Sequence, residues 1–327
     1  MTAVPLPLAS AGGQARLQVR LQSIAYATRD ILVYEFVRPE GGRLPAVAPG
    51  AHVDVYLANG ITRSYSLLHA GESPDRYLVG VKRDPNSRGG SRYMHEQLRV
   101  GTLLELSQPR NHFPLEEQAA YTVLIAGGIG ITPILCMAER LERTGTPFEL
   151  WYASRSRADL AFLPELARFG ERVRLHLDDE ANAVLDMGAI VATAPADTHF
   201  YCCGPGPMLA AYEAAAAGRA PETVHLERFG ASQPLATDGD GFVVALARSG
   251  IELRVPTGST LLQVLTSNGV AIDSSCEAGI CGCCEVAVLE GEVDHRDEVL
   301  TPAQRAGNKS MMVCCSRAKG ERLVLDL

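Results

Sequence analysis

Six of the nine cysteines fall in the last 52 residues, at Cys276, Cys281, Cys283, Cys284, Cys314 and Cys315. Cys276, Cys281 and Cys284 follow the spacing C-x4-C-x2-C, and a fourth ligand lies well downstream at Cys314. This is the plant-type ferredoxin arrangement, in which three thiolates on one loop and a fourth from elsewhere wrap a flat [2Fe–2S] unit. Gly279 and Gly282 sit between the ligands, where the backbone must turn tightly and bring N–H groups up to sulfur. Structural zinc favours paired short spacings, which an x4-then-x2 run fits poorly. Cys283 and Cys315 each adjoin a ligand; the register favours Cys284 and Cys314, because Cys284 completes the x2 step.

A second stretch with chemical content is Gly127-Gly128-Ile129-Gly130-Ile131-Thr132-Pro133. It follows the apolar run Tyr121 to Ala126 and precedes an amphipathic segment reaching about Arg143. A buried strand entering a helix through glycines offers backbone N–H groups to a pyrophosphate, and Pro133 suits a first helical turn. The glycines depart from the G-x-G-x-x-G pattern, so a plain strand-to-helix connection is the competing reading. Further strands are expected at Phe148 to Ala153, Val173 to Leu177 and Thr198 to Cys202. The last enters Cys203-Gly204-Pro205-Gly206-Pro207 and another helix. Strands alternating with helices imply a parallel sheet whose ligands bind at the carboxyl ends of the strands. His176 reads as a strand histidine, and Asp178-Asp179 as a solvated loop.

The third stretch is Arg63-Ser64-Tyr65-Ser66-Leu67. On a strand, Arg63 and Tyr65 share one face and Ser64 and Ser66 the other. That arrangement offers a guanidinium to a phosphate, an aromatic surface to a ring and small donors to heteroatoms. Lys82-Arg83 and Arg88-Gly89-Gly90-Ser91 follow, with Ser91 expected to cap a helix running to about Leu98 beside a second anion site.

The elements that position these groups fall into blocks. Residues 15–120 show short strands without helical periodicity, as an antiparallel barrel would. Residues 121–230 carry the α/β pattern. A linker is expected over 231–241, where Gly, Asp and Ser replace apolar periodicity. Residues 242–327 open on a hairpin around Ser249-Gly250 and a helix from Thr260 to Asn268. The chain has 327 residues, 46% hydrophobic and 21% charged, with net charge −8. That balance describes a globular protein of several domains and argues against a nucleic-acid partner, whose phosphates demand clustered Lys and Arg. No apolar run approaches the ~20 residues that span a bilayer. Residues 1–15 carry no basic group ahead of their short apolar stretch, so a cytoplasmic location is expected and a disulfide framework is not.

As an ordered set these stretches resemble the phthalate dioxygenase reductase family within the ferredoxin–NADP reductase superfamily. The likeness also rests on Pro109-Arg110-Asn111-His112-Phe113-Pro114-Leu115, Glu227-Arg228-Phe229-Gly230-Ala231 and Asp294-His295-Arg296-Asp297. The resemblance implies a six-stranded FMN barrel, an α/β NADH domain and a C-terminal β-grasp [2Fe–2S] ferredoxin domain. It implies that Arg63, Tyr65 and Ser66 hold FMN, with Lys82, Gly90 and Ser91 near its phosphate. Gly128, Gly130, Thr132 and Pro133 would shape the nucleotide pocket, with Cys203, Gly204 and Pro205 opposite and Phe229 covering the flavin ring. Cys276, Cys281, Cys284 and Cys314 would be the iron ligands. Arg155 and Arg157 follow the second α/β strand, where an acidic residue favours NADH and a basic one can hold a 2′-phosphate; the resemblance favours NADH.

A hydride delivers two electrons together, whereas a [2Fe–2S] cluster takes one, and a flavin converts between the two regimes. No Rieske-type alternation of Cys and His and no two-histidine, one-carboxylate iron site is present, so the electrons must leave the chain. The expected partner is a separate Rieske-type oxygenase acting on an aromatic acid or similar molecule, with the reductase a monomer. The alternatives are a reductase serving a cytochrome P450 or other acceptor, and a zinc-binding redox-sensing or interaction module.

Overall fold

A computed structural model describes residues 16–230 and 237–327, which form two compact units. The first six residues of the expected linker, 231–236, lie outside the described residues.

The first unit opens with six strands: β1 Leu17–Thr28, β2 Ile31–Val37, β3 His52–Tyr56, β4 Thr62–Ser66, β5 Arg76–Lys82 and β6 Leu103–Leu106. Apolar residues alternate along them: Leu17, Val19 and Leu21 of β1, and Tyr77, Val79 and Val81 of β5, are buried in one core. The antiparallel order is β4-β3-β6-β1-β2-β5, and an antiparallel bridge between Leu67 and Val79 joins its ends into a barrel. A short helix, α1 Gly90–Glu96, follows β5. Its N-cap is Gly89 in a left-handed conformation at φ 105°, which has no side chain to cap the helix, and Ser87 Oγ accepts the Arg92 N–H at 3.4 Å instead. The cap expected of Ser91 is therefore not formed. Ser91 lies one residue inside the helix, and its Oγ accepts the Asp84 N–H at 3.2 Å.

The unit continues with β7 Tyr121–Gly127, α2 Ile131–Thr144, β8 Phe148–Ser154, α3 Leu163–Ala167, β9 Val173–Leu177 and α4 Asp178–Ala181. It ends with α5 Met187–Thr193, β10 Thr198–Cys203, α6 Gly206–Ala216 and β11 Val224–Glu227. All pairings are parallel, in the order β11-β10-β7-β8-β9. β7 is buried almost throughout, as expected of a central strand covered on both faces. The order reverses between β7 and β10, and ligands of such sheets bind beyond the strand ends at this switch point. Asp178-Asp179, read from sequence as loop, begins the single turn of α4.

The second unit contains β12 Phe242–Leu246, β13 Ile251–Val255, α7 Leu261–Ser267, β14 Glu285–Glu290 and β15 Val293–Asp294. It is completed by α8 Pro302–Gly307, β16 Ser310–Met312, β17 Arg317–Ala318 and β18 Arg322–Leu325. The main sheet runs β13-β12-β18-β14-β16, with β18 parallel to β12 and the other neighbours antiparallel, a β-grasp arrangement around α7. Thr260 and Gln263 form a capping box that starts α7, and Gly269 at φ 77° follows its end. The last part of the expected linker is fastened to this unit: Arg296 donates to the Asp238 carbonyl and Arg317 to that of Asp240.

Among the described residues, no helix is long and apolar enough to cross a membrane.

Candidate functional site

In the first unit, the glycine turn after β7 and the Cys203-Gly204-Pro205 turn after β10 meet at the switch point. A Cβ on Gly130 would lie 2.1 Å from the Cys203 carbonyl oxygen, and one on Gly127 2.7 Å from Pro205 Cδ. Only glycine lets the two backbones come this close. Gly128 takes φ 54° and carries the turn into a single 3-10 segment that runs straight into α2. Thr132 is buried; its Oγ1 donates to the Ile129 carbonyl, and its methyl faces Gly80 of β5. The turn is thus locked internally and seated on the barrel, with Pro133 buried behind it.

Gly130→Ala is expected to cost about 3 kcal/mol, because neither backbone can yield to the added methyl. Thermal unfolding should show a lower apparent Tm for this variant. Gly218→Ala, with nothing within 4 Å of its Cβ position, should melt like the parent.

On the barrel side, β3 places Asp54 opposite Ser64, and the buried Asp54 carboxylate accepts from Ser64 Oγ at 2.6 Å and pairs with Arg110. This anchors one face of β4. The Arg63 stem lies over Gly90, where a Cβ would come within 2.5 Å of Arg63 Cγ. Burial pushes the Tyr65 phenol well above its usual range. Ser66 is buried and hydrogen-bonded to Glu227, which ends β11 directly across from Cys203.

Glu227 is the residue that sequence reasoning missed. It appeared only within a longer motif and received no role. Burial raises its carboxyl to about 8, against the smaller opposing effect of the Ser66 hydrogen bond, so it holds a proton at neutral pH. Its Oε2 is buried without a hydrogen-bond partner. A buried acid beside a serine hydroxyl, at the junction of barrel and switch point, fits the heteroatom-bearing edge of a flavin ring. The sequence signal was an acidic residue closing the short stretch Val224-His225-Leu226-Glu227.

The other expected residues stand further out. Lys82 ends β5 and is exposed. Phe229, two residues past Glu227, is an exposed large apolar side chain. Arg155 is exposed at the end of β8, and Arg157 pairs with Glu180 at 3.6 Å.

In the second unit the four expected ligands converge. The Cys276 thiol is in hydrogen-bond contact with those of Cys281 and Cys314, and the Cys284 thiol with that of Cys314. Backbone amides are aimed at the sulfurs: those of Ala278 and Ile280 at Cys276, those of Cys276 and Cys283 at Cys281, and that of Cys314 at Cys284. Gly279 and Gly282 take φ 70° and 71°. A Cβ on Gly279 would strike Cys315 Sγ at 2.7 Å and Asp297 Cα at 3.1 Å. Among the described residues no three His, Cys, Asp or Glu groups are arranged for a single metal ion. Four thiols in one continuous run of contacts, with no site framed for a single ion among the described residues, suit a two-iron cluster in which each iron takes two of them.

The architecture is that of a pyridine-nucleotide and flavin reductase carrying its own ferredoxin. Residues 244–319 match the 2Fe-2S iron-sulfur cluster binding domain family. The chain is 50% identical to the phenoxybenzoate dioxygenase subunit beta of Ectopseudomonas oleovorans, over 98% of this chain and 100% of that one. The solved structure of phthalate dioxygenase reductase, described as modular for electron transfer from pyridine nucleotides to [2Fe–2S], superposes with TM-score 0.71. That match has 38% identity, over 95% of this chain and 98% of that one. An intact type IV self-sufficient cytochrome P450 monooxygenase superposes with TM-score 0.89 at 39% identity, over all of this chain but only 43% of that one. The chain belongs to the phthalate dioxygenase reductase family, the reductase components of oxygenase systems.

Proposed function

We propose that this chain oxidises NADH at an FMN held in the first unit and passes the electrons singly, through a [2Fe–2S] cluster in the second, to a separate oxygenase. The observation that carries the reading is the convergence of the Cys276, Cys281, Cys284 and Cys314 thiols, ringed by backbone N–H groups, on a β-grasp fold. Bound flavin would supply the conversion of a two-electron donor into one-electron transfers.

The chain's own residues position and tune. Arg63, seated on Gly90, takes the flavin phosphate together with Lys82 and Ser91. Tyr65 presents its ring to the flavin, and Ser66 faces the reacting edge, backed by the Glu227 carboxylic acid. Gly128, Gly130, Thr132 and Pro133 form one wall of the nucleotide slot and Cys203, Gly204 and Pro205 the other. Phe229, exposed two residues past Glu227, covers the flavin until nicotinamide displaces it. The protein acts as a monomer in the cytoplasm, and its partner is a Rieske-type oxygenase whose substrate is an aromatic acid or similar small molecule.

Stopped-flow mixing of holoprotein, NADH and a purified Rieske oxygenase tests this. The Rieske absorbance should fall in step with NADH oxidation. If NADH is consumed and the Rieske centre stays oxidised, the partner assignment fails. The likeness to a P450-fused chain supports a second reading, in which the acceptor is a cytochrome P450. In that case the carbon-monoxide band of reduced P450 would form instead.

A further inference from the structure

The end of β8 is where a sheet of this topology meets the adenosine ribose of a dinucleotide, and basic residues there ordinarily welcome a 2′-phosphate. Here both Arg155 and Arg157 occupy that turn. The neighbouring strand alters their effect. β9 runs parallel to β8 in a register that sets Leu177 beside Ser154, so the acidic turn Asp178-Asp179-Glu180 emerges alongside Arg155 to Arg157. The Asp179 N–H donates to the Arg155 carbonyl at 3.1 Å, which straps the two turns together. Glu180 Oε1 lies 3.6 Å from Arg157 Nε and engages its guanidinium. Asp178 is also drawn against His176, 3.4 Å away.

We infer that Asp179 and Glu180 are specificity determinants: by occupying Arg157 and setting negative charge beside Arg155, they make the ribose site reject a 2′-phosphate and select NADH over NADPH. The inference rests on the proposed nucleotide site and names residues for a discrimination that the β8 turn alone would reverse. A 2′-phosphate is a dianion near neutral pH, so it meets both the repulsion of the acidic turn and competition from Glu180 for the Arg157 guanidinium. Discrimination between nucleotides that differ by this group should therefore weaken as salt rises. A 2′-hydroxyl carries no charge and feels neither effect.

Two fragments isolate this subsite from hydride transfer: 5′-AMP and 2′,5′-ADP, titrated calorimetrically into the oxidised holoprotein. The parent should bind 5′-AMP more tightly than 2′,5′-ADP. In Glu180→Gln the ratio of affinities should shift about threefold toward 2′,5′-ADP, and further in the double variant with Asp179→Asn. Adding Arg157→Ala to Glu180→Gln should cancel the gain. Both acids are solvent-exposed, so the substitutions leave the core alone, and the flavin and cluster spectrum verifies folding. If both fragments bind and Glu180→Gln leaves their ratio unchanged, the acidic turn is not the determinant. A parent preference for 2′,5′-ADP would overturn the inference outright. If neither fragment binds the parent, the nucleotide site itself is misplaced and both readings fall.

Discussion

Cys281→Ser is expected to abolish NADH-dependent reduction of cytochrome c while NADH still bleaches the flavin. The two functions separate because the thiol quartet and the flavin cleft are built by different units, 237–327 and 16–230. Cys281 is buried, its thiol against Cys276 and its sulfur facing the amides of Cys276 and Cys283. A serine hydroxyl keeps the volume but replaces a soft thiolate by a hard oxygen, which iron–sulfur ligation tolerates poorly. Cys283→Ser and Cys315→Ser are the informative companions. Each residue neighbours an expected ligand, yet Cys283 contributes its backbone amide, and Cys315, although its thiol also touches that of Cys314, lies with Sγ 3.7 Å from the Met312 carbonyl. Both variants should retain cytochrome c reduction. Full activity in Cys281→Ser would show that the ligand assignment is wrong, and loss in Cys315→Ser with survival of Cys314→Ser would move the fourth ligand by one residue.

Glu227→Gln should slow NADH oxidation by roughly 10²-fold and remove its alkaline limb. The carboxyl is buried, with its pKa raised to about 8 chiefly by loss of solvation. Below that pH it is a neutral acid in hydrogen-bond contact with Ser66, able to exchange a proton through that hydroxyl. Above it the site acquires a buried negative charge. The parent rate should therefore fall as pH rises through about 8, whereas the amide, which neither titrates nor exchanges a proton, gives a low and flat profile over this range.

Stability follows the same proton. The folded pKa is raised above the ordinary value of 4.5, so the folded state holds the proton more tightly than the unfolded chain does. Its favourable contribution is fully present below 4.5 and is lost as pH climbs to about 8. Across that window the parent should lose on the order of 4 kcal/mol relative to Glu227→Gln. Thermal melts of both proteins at pH 5 and pH 8 would show the gap open with rising pH. A gap independent of pH would mean that Glu227 is ionised throughout.

The cysteine loop was legible from sequence because its chemistry is local. Ligand spacing and the glycines at 279 and 282 meet the same requirement, and the structure places both in left-handed turns. The strand–glycine–helix signature at 121–144 was legible for the same reason, since each step depends on near neighbours. What escaped detection depends on pairing between distant segments. Nothing near Glu227 in the chain announces Ser66, which reaches it only once the barrel has closed against the end of β11. Arg157 stands in sequence as a basic residue able to hold a 2′-phosphate, and only the register of β9 brings Glu180 beside it. The misplaced Ser91 cap has a smaller cause. Ser is a good N-cap by propensity, but Gly89 adopts the left-handed conformation at φ 105° and the helix starts one residue before Ser91.

One chain carries a flavin and a two-iron cluster in series with NADH. Anaerobic titration of purified holoprotein with NADH, followed by visible absorbance and electron paramagnetic resonance with flavin, iron and sulfide quantified, tests it most directly. The expected result is roughly two irons per flavin, bleaching of both chromophores, and a rhombic low-temperature signal that grows as NADH is added. Colourless protein that contains zinc and no flavin, and that leaves NADH unoxidised, would contradict it.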